Sequence, residues 1–305
     1  MNTILSIKKG SIIISTDRTI QEQFSLFCTK NNINDMQLAI EYFSVFGGLE
    51  DVQVNTNIPI EELIKEFILD DYKYLRNIVA DIATSDPLLH AILTGIAQGD
   101  RRTNSSFRRA EVSFKTGMEC VEELVDLKVI SSEKSLSHLT NQTNYSDIAK
   151  KLIFRTPFLR FWFAFVSPIF KGIRDGNYEE FNTLYENKKT EFVQYTFEQL
   201  CDEFIKTQLT DEDRVSQLGS YWDDTTDIDL LIKTNNGKII AGSCKYTNGK
   251  LKKSVLTKLK EDCQKIQLPV DSYVLFSKNG YSSELKSLKS EELKLYTVKS
   301  LKALI

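Results

Sequence analysis

Asp229, Ser243 and Lys245 are the residues whose types and spacing could do chemistry together. In TDIDLLIK (residues 226–233), alternation puts Ile228, Leu230 and Ile232 on one face of a strand and Asp227, Asp229 and Leu231 on the other. In KIIAGSCKY (residues 238–246), Ser243 and Lys245 share a face. The two runs meet at Asn235-Asn236-Gly237, a hairpin signal, so pairing sets Asp229 beside Ser243 and Lys245. A carboxylate and an ammonium sixteen residues apart on adjacent strands suit metal-dependent phosphodiester hydrolysis. The carboxylate offers hard oxygen to Mg2+. The metal polarises the phosphate and acidifies the attacking water, while lysine offers a point charge to the transition state. By spacing alone, the same residues also describe a solvated ion pair beside a hairpin.

Other nucleophiles fit less well. Cys244 lies between Ser243 and Lys245, and the period of two sends it to the opposite, core-facing side. His90, within LLHAIL, reads as a packed helix residue, and His138 as a loop residue that touches water or phosphate. Five cysteines without a CxxC pair argue against a disulfide framework or zinc ribbon and fit a reducing cytosol. No GxxxxGK[ST] occurs, so ATP is not an expected ligand: Gly237-Lys238 and Gly249-Lys250 lack the upstream glycine and the following hydroxyl.

The elements that must position these residues are those of a folded chain of more than one domain. The 305 residues are 41% hydrophobic and 27% charged, which excludes disorder, and the 13 Gly and 5 Pro exclude a collagen-like chain. A net charge of −3 leaves no global basic field, so any nucleic-acid surface is a local patch. The most apolar stretch, Phe158–Phe170, has 13 residues and contains Arg160 and Pro168. A membrane span needs about 20, so a buried helix and no membrane partner are expected; no signal peptide is read at the N-terminus.

Four segments follow from the pattern. Residues 1–82 read as a helical N-terminal region, with a short β segment at Ser11–Ser15, a helix capped by Asn34 or Asp35 and stopped by Gly47-Gly48, and a long helix after Pro59. Residues 83–150 run helix, short helix, longer helix, hairpin, the order of a winged helix-turn-helix. Arg101, Arg102, Arg108, Arg109 and Lys115 cluster at its second helix and the start of its third, the edge that would face DNA phosphates; the same residues also describe a solvated surface on a protein-binding winged helix. Residues 151–190 form an aromatic helical connector whose rings pack a core rather than stack on bases. Residues 191–305 read α-β-β-α-β-α-β, with a turn at Gly219, as a mixed sheet flanked by helices. The whole is therefore expected to be α/β (α+β). Lys250, Lys252, Lys253, Lys258 and Lys260 make a basic strip near Lys245, and Lys252 and Lys253 are assigned to the DNA backbone.

Asp229 followed by Ser243-Cys244-Lys245 resembles the PD-(D/E)XK nuclease superfamily. More closely, the chain resembles the C-terminal half of a group of archaeal-type P-loop ATPases that carry a winged helix followed by a PD-(D/E)XK restriction-endonuclease-like domain. FGGLE (46–50), FLRFWFAFVSP, TFEQLCDEF, YWDDTTDIDLLI, GSCKY and YVLFSKNGY carry the likeness over residues 46–300. The resemblance implies a Mg2+- or Mn2+-dependent DNA endonuclease in a prokaryotic cytoplasm, with Asp229 as first acid, Lys245 as motif lysine and Glu198 as helix acid. It also implies that the ATPase is supplied by a separate partner protein, or that the chain stands alone. Ser243 departs from the pattern, standing where the family has Glu or Asp. Two readings stay open: a domain that kept its fold as a silent DNA- or protein-binding module, or a site completed by a carboxylate of the following helix, Asp262 before Glu261.

Overall fold

The structure is a computed structural model that describes residues 13–50, 52–83, 85–140, 149–209 and 213–305. These form two compact units. The first takes in the residues up to Asn34, Leu38–Ser131 and Leu152–Asn187; the second takes in Asp35–Gln37, Ser132–Lys151 and Lys188–Ile305.

The first unit is helical. Helix α1 (Ile20–Asn31) opens with a capping box between Thr19 and Glu22 and closes on Asn32 in the left-handed region, φ 52°. Helix α2 (Met36–Phe46) starts after Asp35, whose carboxylate accepts the Gln37 N–H at 2.8 Å. It ends at Gly47-Gly48. Gly48 has φ +90°, and a Cβ there would lie 2.2 Å from Thr156 Cγ2. The Gly47 carbonyl accepts the N–H of Phe158 at 3.0 Å, so the glycine pair seats the start of the aromatic run. Of the expected Ser11–Ser15 segment, Ile14 bridges Leu49, while residues 11 and 12 lie outside the described residues.

The stretch after Pro59 is not one helix. Helix α3 (Ile60–Ile64) passes into a π-turn (Lys65–Leu69), and α4 (Tyr72–Ala83) begins beyond Asp70-Asp71. Aspartates favour helix ends over interiors, and Asp70 pairs with Lys65 at 3.0 Å across the break. Helix α5 (Pro87–Gln98) is capped by Asp86, which accepts the Leu88 N–H at 2.7 Å. Helices α6 (Thr103–Arg109) and α7 (Phe114–Asp126) follow, then the two-stranded sheet of β1 (Ile130–Glu133) and β2 (Lys151–Phe154). The three helices follow the expected order of helix, short helix and longer helix; of the expected hairpin, residues 141–148 lie outside the described residues.

In the aromatic run, α8 (Pro157–Phe161) leads into a second π-turn (Trp162–Val166), and every residue from Pro157 to Val166 is buried. Trp162 stacks on Tyr72 with centroids 5.6 Å apart, and His90 lies edge-on to Phe163 at 4.8 Å. These rings are core, as their density predicts. Burial holds the His90 pKa below the usual histidine value, with a further push from Arg76. Helix α9 (Phe170–Arg174) follows. Helix α10 (Glu179–Gln208) is 30 residues long and runs unbroken through positions 190 and 191.

The second unit is built on a five-stranded mixed sheet in sequence order: β3 (Val215–Trp222), β4 (Asp227–Thr234), β5 (Ile239–Lys245), β6 (Ser272–Ser277) and β7 (Leu293–Thr297). β3, β4 and β5 form an antiparallel meander, and β6 and β7 add in parallel. Helix α11 (Lys253–Lys265) crosses from β5 to β6, α12 (Ser283–Ser287) from β6 to β7, and a 3-10 turn (Val298–Leu304) closes the chain. The expected α+β class is observed. The Asn235-Asn236-Gly237 turn is present, with Gly237 at φ +87°. Gly219 is not a turn. It lies inside β3 beside a register shift, with Glu133 Oε1 3.0 Å from where its Cβ would sit. A glycine in a strand marks a bulge as readily as a turn.

Gly48→Ala combines a left-handed backbone with a clash on Thr156. It is expected to destabilise the first unit by at least about 1–3 kcal/mol, read as a lower urea midpoint of that unit's transition.

Candidate functional site

On β4 and β5 the register pairs Leu230 with Gly242 and Leu231 with Ala241, which continues to place Asp229 opposite Ser243. One carboxylate oxygen, Oδ2 of Asp229, then accepts three hydrogen bonds: from Ser243 Oγ at 2.9 Å, from the Cys244 backbone N–H at 2.9 Å, and from Lys245 Nζ at 2.9 Å. The Asp229 side chain is 16% exposed and that of Lys245 39%. For Lys245, burial is the largest influence and favours the neutral amine. The Asp229 carboxylate, by charge and hydrogen bond, and the charge of Glu198 outweigh it, so the Lys245 pKa lies above the usual lysine value. The ammonium is therefore the resident form.

Cys244 points to the other side of the sheet and is fully buried, its thiol pushed well above the usual cysteine value by that burial. On this side α10 supplies a residue that the sequence reading missed. Gln194 accepts the Tyr246 N–H at 2.6 Å, and donates to the Cys244 carbonyl at 2.8 Å and to Glu198 Oε1 at 2.8 Å. It ties the end of β5 to α10 and orients Glu198. The i,i+4 spacing of Gln194 and Glu198 on a helix was the available signal.

The structure thus brings Asp229, Ser243 and Lys245 together and sets Glu198 within electrostatic reach of Lys245. Asp262 is buried on α11 and taken by Lys258 one turn earlier. Among the described residues, no three His, Cys, Asp or Glu side chains form a group able to hold a metal ion. The donor chemistry points the same way. The Ser243 hydroxyl donates to Asp229 rather than presenting a second anionic oxygen, and Oδ2 already accepts the Lys245 ammonium. As built, the residues do not fit a Mg2+ or Mn2+ ion.

A further acid lies one turn beyond Glu198. Asp202 Oδ1 is buried without a hydrogen-bond partner. Burial, reinforced by the charges of Glu133 and Glu198, raises its pKa well above the usual carboxylate range. Glu133 itself is held by Ser220, through the backbone N–H at 3.0 Å and the hydroxyl at 3.1 Å.

The basic residues separate into two groups. In the first unit, Arg101 has φ 69° and gives its carbonyl to Leu152, the Arg102 guanidinium lies 4.0 Å from Asp100, and the Lys115 ammonium lies 4.0 Å from Glu119. Arg108 and Arg109 are exposed, but so are Glu119, Glu122, Glu123 and Asp126 of α7. In the second unit, Lys250, Lys252, Lys253, Lys258 and Lys260 are all exposed on or beside α11. Lys253 pairs with Glu284 at 3.3 Å, and Lys260 lies 5.2 Å from the Tyr273 ring centroid. His138 bonds Gln217 at 3.0 Å.

The fold and site define an α+β protein whose second unit carries an Asp-Ser-Lys cluster on a central hairpin. Residues 162–265 match DUF234, a family described as archaea bacterial proteins of unknown function. The match runs from the aromatic π-turn to the end of α11, so it contains Glu198, Asp229, Ser243, Lys245 and Asp262. No curated protein matches the sequence. Among solved structures, the crystal structure of protein VC1899 from Vibrio cholerae is similar over 94% of this chain and 59% of that one, with 14% identity and a TM-score of 0.30. The chain therefore spans about three fifths of that protein's length. No helix among the described residues is long and apolar enough to cross a membrane.

Lys245→Met leaves the Asp229 charge without its partner. The expected loss is about 1–3 kcal/mol, below that of a fully buried pair because the lysine is partly solvated, and is read from urea unfolding of the second unit. Asp202→Asn tests the buried acid. A carboxyl whose pKa is raised by folding contributes stability that is complete below its unfolded value and lost as pH rises through its folded value. Wild type should therefore lose stability as pH rises above the ordinary carboxylate range. The variant should lack that component and be the more stable protein at alkaline pH, as read from unfolding midpoints across the range.

Proposed function

We propose that the chain is a non-cleaving DNA-binding protein built on a nuclease-like sheet, holding the phosphate backbone through the lysine face of α11 beside Lys245. The single observation that carries the non-cleaving half is the saturation of Asp229 Oδ2 by three donors, one of them the serine at the acid position. A carboxylate engaged in this way acts as a structural anchor. It holds the Lys245 ammonium at the end of β5, partly exposed, where a phosphate oxygen can meet it. The lysines of α11 lie on the exposed side of a helix whose other side packs Leu256, Leu259 and Cys263. Each phosphate they neutralise releases condensed counterions, so affinity comes from charge and carries little sequence preference.

A second reading, metal-dependent DNA cleavage, is favoured by one observation: the charge of Glu198 reaches Lys245, so a second carboxylate borders the cluster. An assay of supercoiled plasmid with Mg2+ or Mn2+ separates the two. No nicking by wild type or by Lys245→Ala is expected, together with salt-sensitive binding of duplex DNA by fluorescence anisotropy. Lys252→Glu with Lys253→Glu should weaken that binding by about tenfold or more and reduce the salt slope by about one per lysine. Nicking by wild type that Lys245→Ala abolishes would establish the enzyme instead, and binding unchanged by the α11 substitutions would remove DNA from that face.

A further inference from the structure

We propose that the exposed face of α7 docks a basic, amphipathic segment of a partner protein. The inference goes beyond the reading of the second unit and stands on the first unit alone. Helix α7 packs Gly117, Cys120, Val121 and Leu124 inward. The opposite stripe recurs at helical spacing as Lys115, Met118, Glu119, Glu122, Val125 and Asp126.

Three observations determine what this stripe can accept. The first is charge. Glu119, Glu122, Glu123 and Asp126 are exposed, and the helix has one base, Lys115, which lies 4.0 Å from Glu119. In a winged helix-turn-helix this third helix is the one that enters a DNA groove. Here its carboxylates would meet phosphates of the same sign, and each close like-charge pair would oppose binding.

The second observation is the helix end. The C-terminal turns of a helix carry partial negative charge and favour cations, yet the last turn of α7 has no basic residue, and Glu122, Glu123 and Asp126 crowd that end. The nearest lysine, Lys128, is turned to Asp17. Among the described residues, no Lys or Arg pairs with Glu122, Glu123 or Asp126, so an incoming Lys or Arg relieves repulsion as well as gaining attraction.

The third observation is apolar. Phe114 is 60% exposed and Val125 37%, and with the half-buried Met118 they line one edge of the acidic stripe. The Phe114 ring is restrained by an edge-to-face contact with Phe107 at 5.7 Å. Phe107 in turn lies against Gly117, where a Cβ would come within 2.6 Å of its ring. A pre-oriented aromatic loses little entropy on burial, which is what a docking anchor requires. Apolar anchors among carboxylates match a segment with Leu- or Phe-like residues flanked by Lys or Arg, laid along the helix.

The test uses the full chain and a labelled helical peptide of leucine and lysine at amphipathic spacing, with a leucine–glutamate peptide as its counterpart, followed by fluorescence anisotropy at low and high salt. The lysine peptide is expected to bind, more weakly at high salt, and the glutamate peptide not to bind. Glu119→Lys with Glu122→Lys should weaken the lysine peptide by about tenfold or more and admit the glutamate peptide, and Phe114→Ser should weaken the lysine peptide by about fivefold or more. All three positions are exposed, and an unchanged far-UV circular dichroism spectrum confirms folding. Equal affinity of the lysine peptide for wild type and the charge-reversed variant overturns the proposal. So does loss of duplex DNA binding in Phe114→Ser, which would give the face to nucleic acid. Sedimentation showing a wild-type dimer that the reversal dissolves without peptide would give it to a second copy of the chain.

Discussion

A single carboxylate oxygen holds the end of the central hairpin. Oδ2 of Asp229 takes the Ser243 hydroxyl, the Cys244 N–H and the Lys245 ammonium, and so links β4 to the last residues of β5 through one atom. From the other side of the sheet, Gln194 clamps the same strand end to α10 through the Cys244 carbonyl and the Tyr246 N–H. A strand end fixed from both faces presents Lys245 in one place. A carboxylate held largely away from water needs hydrogen-bond donors, and three converge on Oδ2.

The same constraint sets the electrostatics of the cluster. A hard divalent ion needs anionic oxygens free to turn toward it. Serine at position 243 supplies a donor instead, so the electrostatics of the site are balanced internally by lysine. Its neighbourhood keeps a surplus of acid, in Glu198, Glu133 and the buried Asp202. Burial, reinforced by Glu133 and Glu198, raises the Asp202 pKa, and Glu198 with Asp229 helps hold Lys245 charged. Electrostatic compensation is thus the interaction that organises this part of the second unit.

Much of this was legible in the chain. Period-two alternation with an Asn-Asn-Gly turn placed Asp229, Ser243 and Lys245 on one sheet face, because strand geometry leaves a hairpin almost no freedom of register. The Asp86 cap, the Gly47-Gly48 stop and the burial of the Phe158–Phe165 rings were legible for similarly local reasons. Other features were not. The long pattern after Pro59 reads as a helix throughout, since a π-turn keeps apolar residues inward while shifting register by one. Strand β3 was hidden by Gly219, whose bulge mimics a turn. The partnership of Asp262 with Lys258 and the clamp made by Gln194 depend on which helix faces meet which strands.

Local periodicity therefore determined, from the sequence alone, most of the elements, the α+β class and the meeting of a carboxylate with an ammonium across a hairpin, because those follow from backbone geometry and nearest-neighbour sterics. Tertiary packing decided the rest: how many donors the carboxylate accepts, which acids stay apart, and that α7 shows carboxylates and a phenylalanine to solvent. Those outcomes turn on side-chain directions and on charges far apart in the chain, which acquire a distance only when the fold brings them together.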